Sequence, residues 1–358
     1  MRKFTKYAAA AVAAAMLLAG CASGAGAEAA SSATETTAAA ASEAETAEAE
    51  ETTGAQSGAE SEAEAAPVKS EGIDQVTVTY VQSPLNVPSI VEKDLEIFSK
   101  NFADNGVSVA YSNLTTGPEQ TQALASGDIQ FLNAVGATSV ILSASNEADI
   151  KIISMYSRSP KAFMLFSKDD SISSAEDLRG KTIGGPKGTI LHEVLVAYLN
   201  EAGMTESDVN FVNMGIPDAQ AALTGGSVDA ALLAGPTAYN MQKDGFHVVT
   251  TGEGLTDASI VTATSQKFYD EHPELVETFV KSQKEVLDYM DENYDEAVAM
   301  AAKATELSED AVKEMYGMYD FSMDISEEDI AGMEKTEQFM KDTGMIENDV
   351  DIRSLILD

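Results

Sequence analysis

The chain of 358 residues contains one cysteine, no tryptophan and only three histidines. A single cysteine cannot form an internal disulfide bond, so the folded part must be stabilised by its apolar core. The histidines, His192, His247 and His272, lie too far apart for the ligand spacing of a metal site. We also find no nucleophile elbow, phosphate loop or dinucleotide-binding motif. These shortages argue against an enzyme and predict neither a metal nor another cofactor.

Long apolar runs are also missing. The run over residues 7–18 is well short of the roughly 20 residues that a membrane-spanning helix needs, and no later run reaches that length. Arg2 and Lys3 precede this run and small residues follow it, which is typical of a secretory signal peptide over residues 1–20. The ending Leu-Ala-Gly-Cys21 resembles a bacterial lipobox, which implies cleavage before Cys21 and its lipidation. The alternative is an ordinary signal peptide with a cysteine at this place by chance.

Residues 21–71 have almost no large apolar side chains and consist mainly of Ala, Ser, Thr, Gly and Glu. Such a composition cannot bury enough apolar surface to offset the entropy lost on ordering. We therefore predict a disordered acidic tether behind the lipidated cysteine. The whole chain has a formal net charge of −37 at pH 7, which argues against nucleic acid or an anionic lipid surface as a partner.

From residue 72 onward, short β-branched runs alternate with amphipathic stretches, and the alternation restarts after residue 162. This pattern is typical of parallel sheets with helices on both faces. We predict two α/β lobes, the first from residues 72–166 and 258–358 and the second from 167–257. Strands near 162–167 and 258–264 are expected to cross between the lobes. The predicted strands of the first lobe span residues 76–81, 107–111, 129–132 and 150–155.

Helical spacing of apolar residues predicts one helix over residues 89–102 and an all-helical C-terminal segment from residue 265. We expect this C-terminal segment to pack on one of the two lobes. The helices predicted there span residues 266–291, 294–304, 308–318 and 326–343.

Several segments together resemble the solute-binding proteins of ABC transporters. Residues 120–131 resemble that family's helix, Gly-Asp turn and strand, and residues 177–184 its DL-x-GK-x-I segment. Residues 186–189, PKGT, and 228–230, VDA, continue the same order along the chain. The nearest subgroup binds sulfonates, taurine, nitrate or a thiamine pyrimidine precursor. This chain lacks the tryptophan that many relatives carry after the VDA strand, which leaves the individual substrate open.

The resemblance implies a two-lobed type II periplasmic-binding fold, with mixed sheets joined by a two-strand hinge, that closes on a small ligand. It also implies an ABC permease with a cytoplasmic ATPase as the partner. We expect a monomer that is lipid-anchored to the cell membrane and faces outside the cytoplasm. Alternatives are a lipoprotein that senses a ligand for a membrane receptor and, more remotely, an enzyme on the same fold.

Ligands of α/β sheets bind beyond the carboxyl ends of strands, where helices begin. Exposed N–H groups and hydroxyls at such ends suit an anion such as a sulfonate, and also a neutral amide or pyrimidine. Helix capping or packing of small residues explains the same residue types without a ligand. The predicted ligand-binding residues are Gln82, Ser83, Thr115, Thr116, Gly117, Val135, Gly136, Ala137, Thr138, Tyr156, Lys187, Gly188, Thr189, Gly235 and Pro236.

Four further residues near these strand ends are candidates, and two of them, Arg158 and His192, have two interpretations each. Arg158 could hold a carboxylate or sulfonate with two hydrogen bonds, or have a surface or hinge role. His192 lies in the first turn of a predicted helix, where a structural role is favoured over a catalytic one. Because proline has no N–H, any donor after Gly235 would be Thr237 or Ala238.

Overall fold

The computed structural model describes residue 70 and residues 72–357. The predicted signal peptide, Cys21 and all of the predicted tether except residue 70 lie outside these residues. No helix in the described part is long and apolar enough to cross a membrane. The strands are β1 Gln75–Thr79, β2 Ser108–Ser112, β3 Leu132–Gly136, β4 Lys151–Arg158, β5 Phe163–Ser167, β6 Thr182–Gly185, β7 Asn210–Asn213, β8 Ala230–Ala234, β9 His247–Thr251 and β10 Ser259–Thr264. The helices are α1 Val87–Leu95, α2 Ile97–Asp104, α3 Gly117–Ser126, α4 Ala137–Ser145, α5 Ile190–Glu201, α6 Ile216–Gly225, α7 Gly235–Lys243, α8 Gln266–Glu271, α9 Pro273–Glu292, α10 Tyr294–Thr305, α11 Glu309–Tyr316, α12 Glu327–Asp342 and α13 Ile352–Leu355.

The strands form two sheets of similar topology. In the first, β1 pairs with β2 in parallel, and β10 lies antiparallel between β3 and β4. The Thr79 N–H donates at 3.0 Å to the carbonyl of Phe131, the residue just before β3, and so joins β1 to β3. The strand order of the first sheet is therefore β2–β1–β3–β10–β4. The second sheet has the order β7–β6–β8–β5–β9, and its β5 is the antiparallel strand. We call each sheet with its helices a lobe, the second lobe comprising residues 163–251.

The chain passes between the lobes twice, and each passage leads directly into the antiparallel strand of the sheet that it enters. β5 pairs with β8 over its whole length from Phe163, and β10 pairs with β4 from Ser259. The crossings therefore lie in the short segments 159–162 and 252–258, just before the two strands expected to cross. The predicted fold class, a two-lobed α/β structure with mixed sheets, is confirmed by this topology.

Apolar side chains from both lobes and from the C-terminal helices build the core. Behind the first sheet, the Phe131 ring stacks on Phe279 of α9 with centroids 4.4 Å apart. Phe98 and Phe102 of α2 pack around these rings, and all four side chains are almost fully buried. Burial of one such ring stabilises the fold by roughly 1.5–3 kcal/mol, so α2 and α9 hold the first sheet in place.

Two predicted helices are each divided in the structure. The helix expected over 89–102 consists of α1 and α2, because Glu96 adopts a left-handed conformation with φ 57°. The helix expected over 266–291 consists of α8 and α9, with Pro273 as the first residue of α9. A proline is tolerated at a first helical turn but not in a helix interior, so periodicity alone overlooks this break.

The expectation that the C-terminal segment packs on one lobe is wrong. α9, α10 and α12 pack mainly on the first lobe, but α11 also reaches the second. Lys243 at the end of α7 forms an ion pair with Glu314 of α11, with Nζ and Oε2 3.1 Å apart. The Tyr239 hydroxyl donates to the same carboxylate at 3.3 Å. Periodicity shows that these helices are amphipathic but not which lobe each apolar face meets.

Candidate ligand-binding cleft

A cleft of about 260 Å³ lies between the two lobes at the ends of their strands. Its first-lobe wall carries most of the polar side chains: Gln82, Ser83, Asn113, Thr115, Thr116, Gln120 and Ser139. The remainder of that wall consists of Val81, Pro84, Gly117, Ala134, Gly136 and Ile260. The second-lobe wall is mostly apolar and consists of Phe163, Pro186, Thr189, Ile190, Leu191, Ile216, Pro217, Ala234 and Thr237.

Five helices begin at this cleft. Thr116 and Gly136 precede α3 and α4 in the first lobe. Thr189, Gly215 and Ala234 precede α5, α6 and α7 in the second. Each helix starts where a strand has just ended, so both sheets direct helix N-termini into the same space. The backbone N–H groups of a first helical turn have no acceptor within their own helix.

Four of these five helices, α4 to α7, have no side chain that accepts a hydrogen bond from the first turn. At α3, Thr116 and Glu119 form a capping box: the Thr116 side chain accepts from the Glu119 N–H, and the Thr116 N–H donates to the Glu119 carboxylate at 3.2 Å. The helix starts of α4, α5, α6 and α7 are therefore available to a bound group.

No described residue that lines the cleft has an ionisable side chain. The local field therefore comes from the helix N-termini, each equivalent to about half a positive charge. This field is positive although the chain as a whole is strongly acidic. An anion without a counter-cation fits this arrangement, because neutral N–H and O–H donors satisfy its oxygens.

The backbone of β3 is distorted beside the cleft. Ala134 has φ 76°, a conformation that is uncommon for residues other than glycine, and it lies where the pairing register of β3 and β10 shifts. A β-bulge of this kind redirects the chain beyond it. Two residues further along the chain, Gly136 faces the second lobe, and a Cβ added to it would lie 3.2 Å from the Ile190 side chain. The small residues here allow α4 and α5 to approach closely.

The structure brings seven of the fifteen predicted ligand-binding residues together at the cleft: Gln82, Ser83, Thr115, Thr116, Gly117, Gly136 and Thr189. Six of them follow the end of a strand and Gly136 is the last residue of β3, as expected for a site at strand ends. Contact between these residues and a ligand remains a prediction.

Three predicted residues of the β3–α4 segment do not line the cleft. Val135 and Ala137 pack into the first-lobe core, because neighbouring residues of a strand point to opposite faces. Thr138 is also buried, and its hydroxyl donates to the Glu193 carboxylate of α5 at 2.5 Å. Thr138 therefore contributes to the contact between the lobes.

Tyr156 lies beneath the cleft because β4 extends three residues beyond its predicted end. Its buried hydroxyl is 2.8 Å from the Ser89 hydroxyl and accepts the Ser89 N–H at 3.1 Å. At the end of the same strand, the Arg158 guanidinium donates two hydrogen bonds to Asp329 of α12, at 2.5 and 2.7 Å. The geometry of Arg158 supports the structural interpretation.

Lys187 and Gly188 of the β6–α5 turn do not line the cleft. The Lys187 ammonium pairs with Glu206 at 3.2 Å, and the Gly188 carbonyl accepts a hydrogen bond from Ser139 at 2.7 Å. His192 is buried, with Nε2 2.5 Å from the Glu206 carboxylate. Burial lowers the pKa of His192 below its usual value, although the Glu206 carboxylate opposes this shift. These contacts give His192 a structural role.

Gly235 and Pro236 belong to the first turn of α7 but do not line the cleft. A Cβ on Gly235 would fall 1.8 Å from the Pro84 carbonyl oxygen, so Gly235 marks a close approach of the two lobes. Thr237, one residue after the proline, does line the cleft. Thr237 and Ala238 were the two donors expected after Gly235, because proline has no N–H.

Some of the lining residues were not predicted from the sequence, and four of them, Asn113, Gln120, Ser139 and Ile216, fall into two kinds. Asn113 follows β2, and Ile216 begins α6 after β7, so both satisfy the same strand-end rule and could have been found by it. Gln120 and Ser139 instead project from the interior of a first or second helical turn, where a strand-end rule does not reach.

Two buried carboxylates lie outside the lining of the cleft. Glu193 of α5 accepts hydrogen bonds from Thr138, Thr256 and Thr336, and burial raises its pKa. Glu92 of α1 accepts the Phe98 N–H and the Tyr111 hydroxyl, and burial raises its pKa from 4.5 to about 7. In the described residues, no group of three or more His, Cys, Asp or Glu side chains is placed to hold a metal ion.

Two curated proteins illustrate the relationship at the level of sequence. The chain is 31% identical over 211 residues to the taurine-binding periplasmic protein of Escherichia coli K12, a match that covers 58% of this chain and 63% of that protein. It is 26% identical over 273 residues to a putative aliphatic sulfonates-binding protein of Bacillus subtilis 168, covering 75% and 82% of the two chains.

Solved structures share the fold. The alkanesulfonate-binding protein SsuA from Xanthomonas axonopodis pv. citri, bound to MOPS, superposes with a TM-score of 0.72 at 18% identity, covering 79% of this chain and 98% of that one. The desulfurization enzyme DSZB has a TM-score of 0.61 at 17% identity, with 79% and 96% coverage. The NMT1/THI5-like family model matches residues 100–297, more than half of the chain. The chain therefore belongs to the NMT1/THI5-like family.

Proposed function

We propose that the protein is the solute-binding lipoprotein of an ABC importer and captures a small organic anion, best an aliphatic sulfonate, between its two lobes. The observation that carries this proposal is a cleft that has no ionisable side chain in its described lining and at which five helices begin, four of them uncapped. A sulfonate keeps its negative charge at all physiological pH values, and its three oxygens accept hydrogen bonds in several directions. It therefore matches a ring of neutral donors.

The two walls of the cleft suggest how a sulfonate is oriented. Polar side chains such as Asn113 and Thr115 are concentrated on the first-lobe wall, whereas Phe163 and Ile216 belong to the apolar second-lobe wall. The anionic head, like any polar substituent, binds to the polar wall, and the apolar carbons face the other wall. Contact with both walls favours the closed state, because a ligand shifts a conformational equilibrium by its differential affinity for the two states.

The names of the relatives and the N-terminal sequence support the cellular role. The relatives are named as periplasmic or substrate-binding proteins, which supports a location outside the cytoplasm. The ending Leu-Ala-Gly-Cys21 supports a lipid anchor. A tether of about 50 residues would then keep the closed form near its permease and raise its effective concentration there. The protein acts as a monomer in this proposal.

Binding without catalysis is the function that the cleft supports best. The fold alone does not decide this point, since the desulfurization enzyme DSZB shares it. Within the described residues, the lining offers hydroxyls and amides but no side chain that would act as a general acid or base near neutral pH. Nitrate and a pyrimidine precursor stay as alternative ligands that the screen separates, whereas a sensory role is separated from transport by whether a permease and an ATPase gene lie beside this one.

A ligand screen tests the proposal. Purified protein is titrated with alkanesulfonates, taurine, nitrate and an aminopyrimidine, and its thermal unfolding and binding heat are measured. A true ligand at 100 times its Kd stabilises the folded state by about 2.7 kcal/mol. We expect a sulfonate to give the largest stabilisation and to be recovered unchanged. Stabilisation by a neutral heterocycle alone, or turnover of the sulfonate, would contradict the proposal.

A further inference from the structure

One buried side-chain atom at the cleft has no hydrogen-bond partner. Seven buried side-chain nitrogen or oxygen atoms of the described residues lack a partner, and only Oε1 of Gln120 belongs to a residue that lines the cleft. Gln120 is only 3% exposed. A buried acceptor without a partner is costly, and because Gln120 lines the cleft, a bound ligand is the group that could donate to it.

The orientation of this amide is fixed by its other end. Nε2 of Gln120 donates to the Leu114 carbonyl oxygen at 3.2 Å. A reversed amide would place its carbonyl oxygen against that of Leu114, which is unfavourable. Oε1 is therefore the atom left for the ligand, and it can only accept a hydrogen bond.

The charge of the ligand's donor group follows from the rest of the cleft. The described lining residues include no carboxylate that would pair with an ammonium group, and five helix N-termini make the field positive. A neutral donor, a hydroxyl or an amide N–H, satisfies Oε1 without placing a cation in this field.

We infer that Gln120 selects organic sulfonates that carry a neutral hydrogen-bond donor, such as a hydroxyl, over both unsubstituted alkanesulfonates and amino-sulfonates. This inference rests on the proposed function, because it assumes that the helix N-termini hold the sulfonate. It makes Gln120 a specificity-determining residue of the cleft.

Three probes of nearly equal size test the inference by calorimetry: 2-hydroxyethanesulfonate, ethanesulfonate and taurine. The purified full chain should bind 2-hydroxyethanesulfonate about tenfold more tightly than ethanesulfonate, which leaves Oε1 unpaired. It should also bind 2-hydroxyethanesulfonate about tenfold more tightly than taurine, whose ammonium lacks a counter-ion. Equal binding of the hydroxyl and unsubstituted probes, or tightest binding of taurine, overturns the inference and leaves the proposed function standing. Binding of none of the three overturns both.

Two substitutions assign the selectivity to Gln120. Gln120→Met removes the acceptor at similar volume, and the preference for 2-hydroxyethanesulfonate over ethanesulfonate should fall to within twofold. Gln120→Glu adds a carboxylate at the same place and should raise the affinity of taurine relative to 2-hydroxyethanesulfonate by about tenfold. Gln122→Met, at an exposed position of the same helix, is the matched control and should leave all ratios unchanged. If Gln120→Met does not fold, the test is the affinity of Gln120→Glu for taurine relative to 2-hydroxyethanesulfonate. A relative affinity equal to that of the wild type contradicts the inference.

Discussion

The α-carbon of Gly235, at the start of α7, lies against the carbonyl oxygen of Pro84, so that a Cβ added to Gly235 would be only 1.8 Å from this oxygen. Pro84 follows β1 in the first lobe, and Gly235 follows β8 in the second. The contact therefore joins the two lobes at the rim of the cleft. Gly235 also has φ 60°, a conformation that glycine adopts at low cost.

Gly235→Ala is expected to hold the lobes apart and to weaken ligand binding by tenfold or more. The added methyl group cannot be accommodated by rotating a side chain, because its neighbour is backbone. Calorimetry gives the affinity, and small-angle scattering shows whether the ligand still contracts the protein. Gly245→Ala is the control, since Gly245 has φ 84° and open space around it. Both variants bear the same type of backbone strain, so equal affinities would contradict a role of the contact in closure.

Replacing Arg158 should reduce stability without changing ligand affinity. Arg158 donates to both carboxylate oxygens of Asp329 and also to Ser322 and Asp324, which fixes the segment before α12 against β4. Arg158→Gln should lower the free energy of unfolding by about 3 kcal/mol, because it leaves a mostly buried carboxylate unpaired. Urea denaturation measures this loss. Arg353→Gln, which breaks an exposed pair with Glu327, should change the stability far less, because solvent screens this pair. A large loss of affinity in Arg158→Gln would restore its assignment to the ligand site.

The contribution of Glu92 to stability should fall as the pH rises from about 4.5 to about 7. Burial raises the pKa of Glu92 from 4.5 to about 7, so the folded state binds a proton more tightly than the unfolded state. The stabilisation is present in full below about pH 4.5 and is lost as the pH rises to about 7, by at most about 3 kcal/mol. Glu92→Gln imitates the protonated form and should match the wild type at pH 5 but exceed its stability at pH 8.

Denaturation curves of wild type and Glu92→Gln at several pH values measure this difference. Glu277→Gln serves as the control, because Glu277 is exposed on α9. A stability difference between Glu92→Gln and wild type that stays constant from pH 5 to pH 8 would mean that Glu92 does not titrate in this range.

Local patterns in the sequence predict the alternation of strands and helices, and with it the position of the cleft. Thr115, Thr116 and Thr189 were found because a helix must begin soon after each strand ends. The same rule does not decide which residue of a segment faces the cleft, so it predicts ligand binding for Val135 as well as for Gly136, although only Gly136 lines the cleft. That distinction depends on the bulge at Ala134, which is a property of the pairing between β3 and β10.

Long-range partners explain the other differences. Arg158 and Asp329 are 171 residues apart in the chain, and no local pattern connects them. The role of Gln120 depends on how the first turn of α3 meets the loop at Leu114. In both cases the residue type predicts its hydrogen-bonding capacity, whereas the folded chain determines whether a protein group or a ligand satisfies it.

Cys21→Ser should release the protein from the membrane. The lipid anchor proposed here requires the thiol of Cys21, and serine cannot form the thioether. Fractionation of cells that express each variant measures the share of protein in the membrane pellet, and labelling with a radioactive fatty acid detects the lipid. Ser23→Ala is the control two residues further along and should stay in the membrane. Membrane retention and labelling of Cys21→Ser would contradict lipidation at this residue.

The apolar second-lobe wall should determine how affinity depends on the length of the ligand. Ile216 is partly buried at the start of α6 and lines the cleft through that wall. If the carbon chain of a sulfonate faces Ile216, each methylene that it buries contributes about 0.8 kcal/mol, or roughly fourfold in Kd. Ile216→Ala should therefore weaken binding of butanesulfonate about tenfold but that of ethanesulfonate less than threefold, as measured by calorimetry.

Val212→Ala is the matched control for this prediction, because Val212 lies in the neighbouring strand β7, is 40% exposed and does not line the cleft. It should change neither affinity. An equal loss for both sulfonates in Ile216→Ala would place the head group, not the carbon chain, at the start of α6. The sulfonate would then be oriented in the opposite direction, with its apolar end against the polar first-lobe wall. That arrangement would leave Asn113 and Thr115 without a charged group to bind, so the length dependence distinguishes the two orientations without a structure of the complex.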